Sequence, residues 1–178
     1  MTKHVFEIAP SGRSKCRGCG KAIAKDELRF GEKMPNPFGD GDMTHWLHPN
    51  CAAHRRPEPF LEALDAGLYE GDDQADLKLV ATRNLEHRRI PRLGAAERAS
   101  SGRARCRHCK ELIEQGAWRL PLIFFEEGSY NTSGFIHAGC AAEYCEASEP
   151  DLVWPTIEAF AQDLSAEDLK ELKCDTGA

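Results

Sequence analysis

The sequence has no apolar run long enough to span a bilayer, and no secretory hydrophobic stretch follows Met1. It has no general excess of positive charge either: 23 Lys and Arg stand against 29 Asp and Glu, for a net charge of −6. No nucleophile is paired with a base, and no Gly-rich phosphate loop leads into a helix. The acidic pairs Asp72–Asp73 and Glu126–Glu127 lack the partners of an acid/base couple and read as solvated charge. These absences argue against an enzyme and against a membrane protein. The expected setting is intracellular: cytoplasm or nucleoid in a bacterium, nucleus in a eukaryote. In a reducing compartment, closely spaced Cys and His read as metal ligands rather than as disulfides.

Such pairs organise the chain. SGRSKCRGCG carries Cys16 and Cys19, and HWLHPNC carries His48 and Cys51. The pattern recurs as SGRARCRHCK, with Cys106 and Cys109, and GFIHAGC, with His137 and Cys140. Three thiolates and one imidazole make a closed tetrahedral zinc site, with no open position for catalysis. The spans between ligand pairs are 28 residues (20–47) and 27 residues (110–136). Both are too long for a C2H2 finger, where about 12 residues intervene. Two bound Zn2+ are expected, each contributing on the order of 10–16 kcal/mol of apparent binding free energy to its fold. His45 and His54 break the ligand spacing, and His108 sits inside the second knuckle pointing away from the metal. Cys145 reads as a buried helix residue and Cys174 as a tail thiol.

The repeat predicts the domain plan. Cys16 and Cys106 lie 90 positions apart, Glu58–Pro59 and Glu149–Pro150 lie 91 apart, and Asp76-Leu77-Lys78 and Asp168-Leu169-Lys170 lie 92 apart. The expected fold class is α+β, with two small zinc-stabilised domains over 1–90 and 91–178. Each would have a short antiparallel sheet, a zinc knuckle and following helices. Neither half is large enough to be secure on apolar burial alone, and a structural metal compensates.

Locally, HVFEI (4–8) and the residues around Leu28–Phe30 read as strands. Met34–Asp42 is dense in Pro, Gly, Asn and Asp and reads as an exposed loop. HWLHPNCAAH leads into a helix with Asn50 as N-cap. Phe60, Leu61, Leu64 and Leu68 mark one helix face, followed by a turn at Gly71–Asp73 and a helix over 75–86. Pro91 breaks the pattern at the domain joint. In the second half Val153, Trp154, Ile157, Phe160, Ala161 and Leu164 mark a helix face, Leu169 and Leu172 a last helix, and the tail after Lys173 is expected to fray.

Charge is segregated. Residues 1–56 carry a balance of +4, 57–82 of −6, 83–110 of +7 and 111–178 of −11. The positive segments hold both CxxC knuckles, which predicts a surface that meets a polyanion. Lys15, Arg17, Arg105 and Arg107 flank the knuckles as phosphate-contact candidates. Trp46, Trp118, Phe135 and Trp154 lie beside ligands or on periodic faces and read as core.

The motif SGRSKCRGCG…DELRF…HWLHPNC resembles the PARP-type zinc finger, and SGRARCRHCK…GAWRL…GFIHAGC is its looser second copy. That family occurs as a tandem pair in nuclear poly(ADP-ribose) polymerases and singly in a vertebrate DNA ligase, and it binds DNA at strand breaks. The resemblance covers residues 5–56 and 94–145 and implies a free-standing tandem finger without the ADP-ribosyltransferase domain. It implies phosphate contacts from Arg13 and Arg103 ahead of each knuckle, and from Arg29 and Arg119 in the following strand. It also implies loop-borne apolar groups that stack on the base pair exposed at a break. Phe38 and Met43 occupy that loop in the first half; Phe124, Phe125 and Tyr130 are the candidates in the second, where Glu126 and Glu127 oppose phosphate. A protein-recruiting module in a DNA-repair complex, with DNA repair enzymes as partners, is the alternative.

Overall fold

The computed structural model describes residues 3–178, and the chain divides into two compact units, Met1–Glu86 and His87–Ala178. The division falls ahead of Pro91 because Ile90 and Leu93 are buried in the core of the second unit. Each unit is α+β, built on a three-stranded antiparallel sheet.

In the first unit the sheet order is β1 (Val5–Ile8), β2 (Leu28–Pro35), β3 (Asp42–Leu47). Phe30 pairs with Phe6 on one side and Leu47 on the other, so the even-numbered positions of β2 face the core. There Phe30 and Phe60 pack edge to face at 5.4 Å, and Phe6 stacks on Tyr69 at 5.0 Å. Helices α1 (Pro49–Arg55), α2 (Pro57–Asp65) and α3 (Gln74–Glu86) supply Ala52, Ala53, Phe60, Ala63, Leu64, Leu77 and Ala81 to that core. Two buried polar side chains, Glu32 and Asn84, are answered within it. Arg56 donates from Nε to Glu32 at 2.8 Å, and Asn84 donates from Nδ2 to the His54 carbonyl at 3.0 Å.

The second unit repeats this plan with β4 (Glu97–Arg98), β5 (Trp118–Glu126) and β6 (Ser129–His137). Trp118, Leu120 and Leu122 face inward with Ile113, Ile136, Val153, Ile157 and Leu172. Its helices are α4 (Ala141–Tyr144), α5 (Trp154–Ala159) and α6 (Ala166–Thr176). Arg98 ties β4 to α6 through Asp168 (3.1 Å) and Glu171 (2.6 Å).

Several local expectations change. The loop over 34–42 is shorter: β2 runs to Pro35 and β3 starts at Asp42, leaving a six-residue hairpin connection, 36–41. PLIFFEEGSYNTSGF is not a loop but two paired strands closed by Glu127 and Gly128, whose positive φ values of 49° and 78° fit a tight hairpin turn. Asn50 is not an N-cap: Pro49 starts α1 one residue earlier, at the first helical position Pro favours, and His48 precedes it. Leu68 lies past the end of α2 and is 41 % exposed. The face from Val153 to Leu164 is not one helix, since α5 stops at Ala159. The tail does not fray at Lys173: α6 runs to the buried Thr176, with Gly177 as its left-handed cap.

Candidate zinc centres and nucleic-acid interface

Each knuckle is a tight turn laid against the end of the sheet and the start of the following helix. In the first, the Gly20 amide donates to the Cys16 carbonyl (2.8 Å), and Cys16 donates to the Lys21 carbonyl (2.8 Å). The turn lies so close to α1 that a Cβ at Gly18 would stand 2.9 Å from the Cβ of Cys51. His48 leaves the end of β3 and Cys51 lies in the first turn of α1, so the sheet end and helix start deliver the second ligand pair.

The ligand atoms of Cys16, Cys19, His48 and Cys51 lie within 4.8 Å of one another, as do those of Cys106, Cys109, His137 and Cys140. His48 Nδ1 is 3.5 Å from Cys19 Sγ and 3.8 Å from Cys51 Sγ; His137 Nδ1 is 3.4 Å from Cys109 Sγ and 3.9 Å from Cys140 Sγ. A tetrahedron with ordinary Zn–S and Zn–N bonds has S···N edges of about 3.5 Å, so the donors fit Zn2+. Ligation through Nδ1 leaves Nε2 to carry the proton. In the second centre Nε2 donates to the Leu112 carbonyl at 3.1 Å; in the first it faces Glu27 Oε1 at 3.6 Å.

The thiols contest their protons as a cation site should. Hydrogen bonding to Cys16 and Cys51 draws Cys19 far below the usual thiol range, and bonding to Cys16 and Cys19 drives Cys51 far above it. In the second centre burial, with the nearby Cys106 thiolate, pushes Cys140 up to about 12. Cys106 falls to about 6 because backbone N–H groups of His137, Cys109 and His108 outweigh its own burial. A dication relieves this crowding by favouring all three thiolates at once. Two Zn2+, one per unit, are the cofactors of this fold. The other histidines stay outside: His45 is buried under the sheet, His54 is held by α3, and His108 reaches Glu143 at 3.0 Å.

Around the first knuckle Arg13, Lys15 and Arg17 are exposed. Ser14, Lys15, Arg17, Gly20, Thr44 and Trp46 line an open groove of about 490 Å3 beside it. Trp46 lies flat on the outer sheet face over Gly31, where a Cβ would come within 2.7 Å of the ring. Arg29 is placed differently from Arg13. It is 6 % exposed and stacks on Trp46 at 3.6 Å; its Nη1 donates to Ser14 Oγ at 2.8 Å, and Nε and Nη2 donate to Glu7. Arg119 repeats this arrangement, donating to Glu97 at 2.9 and 2.6 Å and stacking on Phe135 at 3.8 Å. Both arginines tie the first strand to the second and hold the aromatic ring. The signal for this was in the sequence: Glu7–Arg29 and Glu97–Arg119 share a spacing of 22. Trp46 and Phe135 are thus half-buried on the outer face, whereas Trp118 and Trp154 are core.

Phe38 stands at the tip of the β2–β3 hairpin and is 87 % exposed. Met43 is half-buried, paired across the strands with Met34. In the second unit Arg103 and Arg105 are exposed beside the knuckle, and Arg107 packs on Gly134. Phe125 and Tyr130 pair across the hairpin with ring centroids 4.9 Å apart, and Phe124 packs against the core.

Residues 7–75 match the family model described as the poly(ADP-ribose) polymerase and DNA-ligase Zn-finger region. The first unit contains a PARP-type zinc finger. Similar proteins include poly [ADP-ribose] polymerase 1 of Gallus gallus, 31 % identical over 134 residues, which cover 64 % of this chain and 13 % of the relative. Poly [ADP-ribose] polymerase 1 of Oryza sativa is 31 % identical over 145 residues, 76 % of this chain and 14 % of the relative. Polynucleotide 3'-phosphatase ZDP of Arabidopsis thaliana is 26 % identical over 163 residues, 76 % of this chain and 23 % of the relative. The chain therefore spans less than a quarter of the length of each. No helix among the described residues is long and apolar enough to cross a membrane.

Proposed function

We propose that this protein binds DNA at strand breaks and ends, without reading sequence, and does no chemistry there. Its zinc-held knuckles supply phosphate contacts through Arg13, Lys15 and Arg17 in the first unit and Arg103 and Arg105 in the second. An interior base pair hides its faces in the stack, whereas a nick, gap or terminus exposes one, and an aromatic side chain can cover it. The observation that carries the reading is Phe38: a large apolar side chain, 87 % exposed, on the same unit as a groove lined by Lys15 and Arg17. An exposed aromatic ring carried by a cationic frame can stack on a base face while the cations hold the flanking phosphates. Met43, half-buried on the adjoining strand, is the second apolar group offered to that base pair. Arg29 and Arg119, committed to glutamates, serve as positioning residues for Trp46 and Phe135.

An anisotropy titration over nicked, gapped, blunt-ended and covalently closed duplexes tests the reading. Broken substrates should bind more tightly, and affinity should fall steeply with salt as phosphate counterions are released. Equal affinity for all of them overturns it, and negligible DNA binding at physiological salt would favour a protein-recruiting role instead.

A further inference from the structure

The two hairpins that close the sheets differ in what they present. In the first, Asn36 fixes the connection: its amide donates to the Gly41 carbonyl at 3.0 Å, and its Oδ1 accepts from the Phe38 amide at 3.0 Å. This Asx turn, preceded by Pro35 and followed by Pro37, holds Phe38 outward. In the second, no connection remains to carry an aromatic group. The strands pair up to Glu126 and Ser129, and only Glu127 and Gly128 turn the chain. Glu126 and Glu127 are exposed, so the tip is a double negative charge. Phe125 and Tyr130 sit behind it, half-buried against each other on the sheet.

We propose that one chain covers a single exposed base-pair face, through Phe38, and that the second unit holds only phosphate. A base pair approaching the second tip brings its flanking phosphates toward two carboxylates before it reaches an aromatic ring. At the first tip the ring leads. The preferred substrate is then a break that offers one accessible stack end, bound by one chain. This inference rests on the break-binding reading, and its failure is separable from that of the reading itself.

The test measures the affinity ratio between a nicked and a sealed dumbbell duplex of the same sequence for the zinc-loaded full chain, with zinc content determined on every variant. Phe38→Ala should lower the ratio by roughly tenfold, the scale of one lost base–aromatic contact. Phe125→Leu and Tyr130→Leu, which keep apolar bulk on the sheet, should leave it within about twofold by the same measure. Glu126→Gln should leave it unchanged as well. A ratio that collapses in Phe125→Leu or Tyr130→Leu, or survives in Phe38→Ala, overturns the inference while leaving break binding standing. A wild-type ratio of one overturns both.

Discussion

Arg13 and Arg29 show how an identical residue type divides its roles within one unit. Arg13 projects into solvent, whereas Arg29 is buried with Glu7, Ser14 and the Trp46 ring as its partners. Replacing Arg29 with Met keeps some packing but removes every hydrogen bond. It should destabilise the first unit by about 2 kcal/mol, the scale of hydrogen bonds to charged groups. The salt dependence of DNA binding should stay at its wild-type slope. Lys15→Ala, by contrast, should reduce that slope by about one while leaving the melting temperature in place. Differential scanning calorimetry and a salt titration on the two variants separate these outcomes. The ligand cysteines and histidines were legible because spacing alone specifies them. The burial of Arg29 was not legible in DELRF itself; its trace in the sequence is the spacing of 22 that Glu7–Arg29 shares with Glu97–Arg119.

At the scale of elements, the two zinc centres share a ligand set but not a setting. In the first, Cys16 and Cys51 are buried and Cys19 and His48 half-buried; in the second, Cys109 is exposed. Stripping with a chelator should remove the second zinc first. A chromogenic zinc assay run alongside far-UV circular dichroism would show one equivalent leaving before the other; simultaneous release would contradict it. Helices α1 and α3 meet through His54, which is 3 % exposed and linked to Asn84. Burial, aided by Arg83 and Arg55, lowers its pKa to about 3. An unfolded histidine titrates near 6.5, so below that pH the unfolded chain takes up a proton that the folded unit refuses. This contribution to stability is complete above about 6.5 and is lost progressively as pH falls toward 3, at up to about 1.4 kcal/mol per pH unit. Chemical denaturation of His54→Gln should show a shallower decline over that window than wild type, the zinc-ligand contribution being common to both. An equal slope would contradict the assignment. Strand and helix positions followed from alternation and period, as in Phe60 and Leu64. The hairpins did not: Pro/Gly content marked 34–42 as a loop, yet cross-strand pairing carries β2 through to Pro35, and where the family resemblance implies a loop in the second half, β5 and β6 pair up to Glu126 and Ser129 past a bulge between Pro121 and Ile123.

For the whole molecule, an overall charge of −6 conceals where the charge lies. The cations cluster at the knuckles, and the segments 57–82 and 111–178 carry the compensating acids. Such a distribution favours contact with a polyanion at chosen places and discourages it elsewhere, including the acidic tip of the second hairpin. Affinity should therefore be strongly salt-dependent despite the acidic composition, with a slope of about −0.9 in log K against log salt for each phosphate neutralised on duplex DNA. The internal repeat made the two-unit plan visible in the sequence, because the ligand pattern survives where the rest of the two halves has diverged. The central claim is that an outward aromatic ring on a zinc-held cationic frame covers a base-pair face that only an interrupted helix exposes. It is tested most directly by titrating the two-zinc protein at physiological salt against one dumbbell duplex carrying a single nick, before and after that nick is ligated. The account predicts at least a roughly tenfold loss of affinity on sealing; equal binding to the nicked and sealed forms would contradict it.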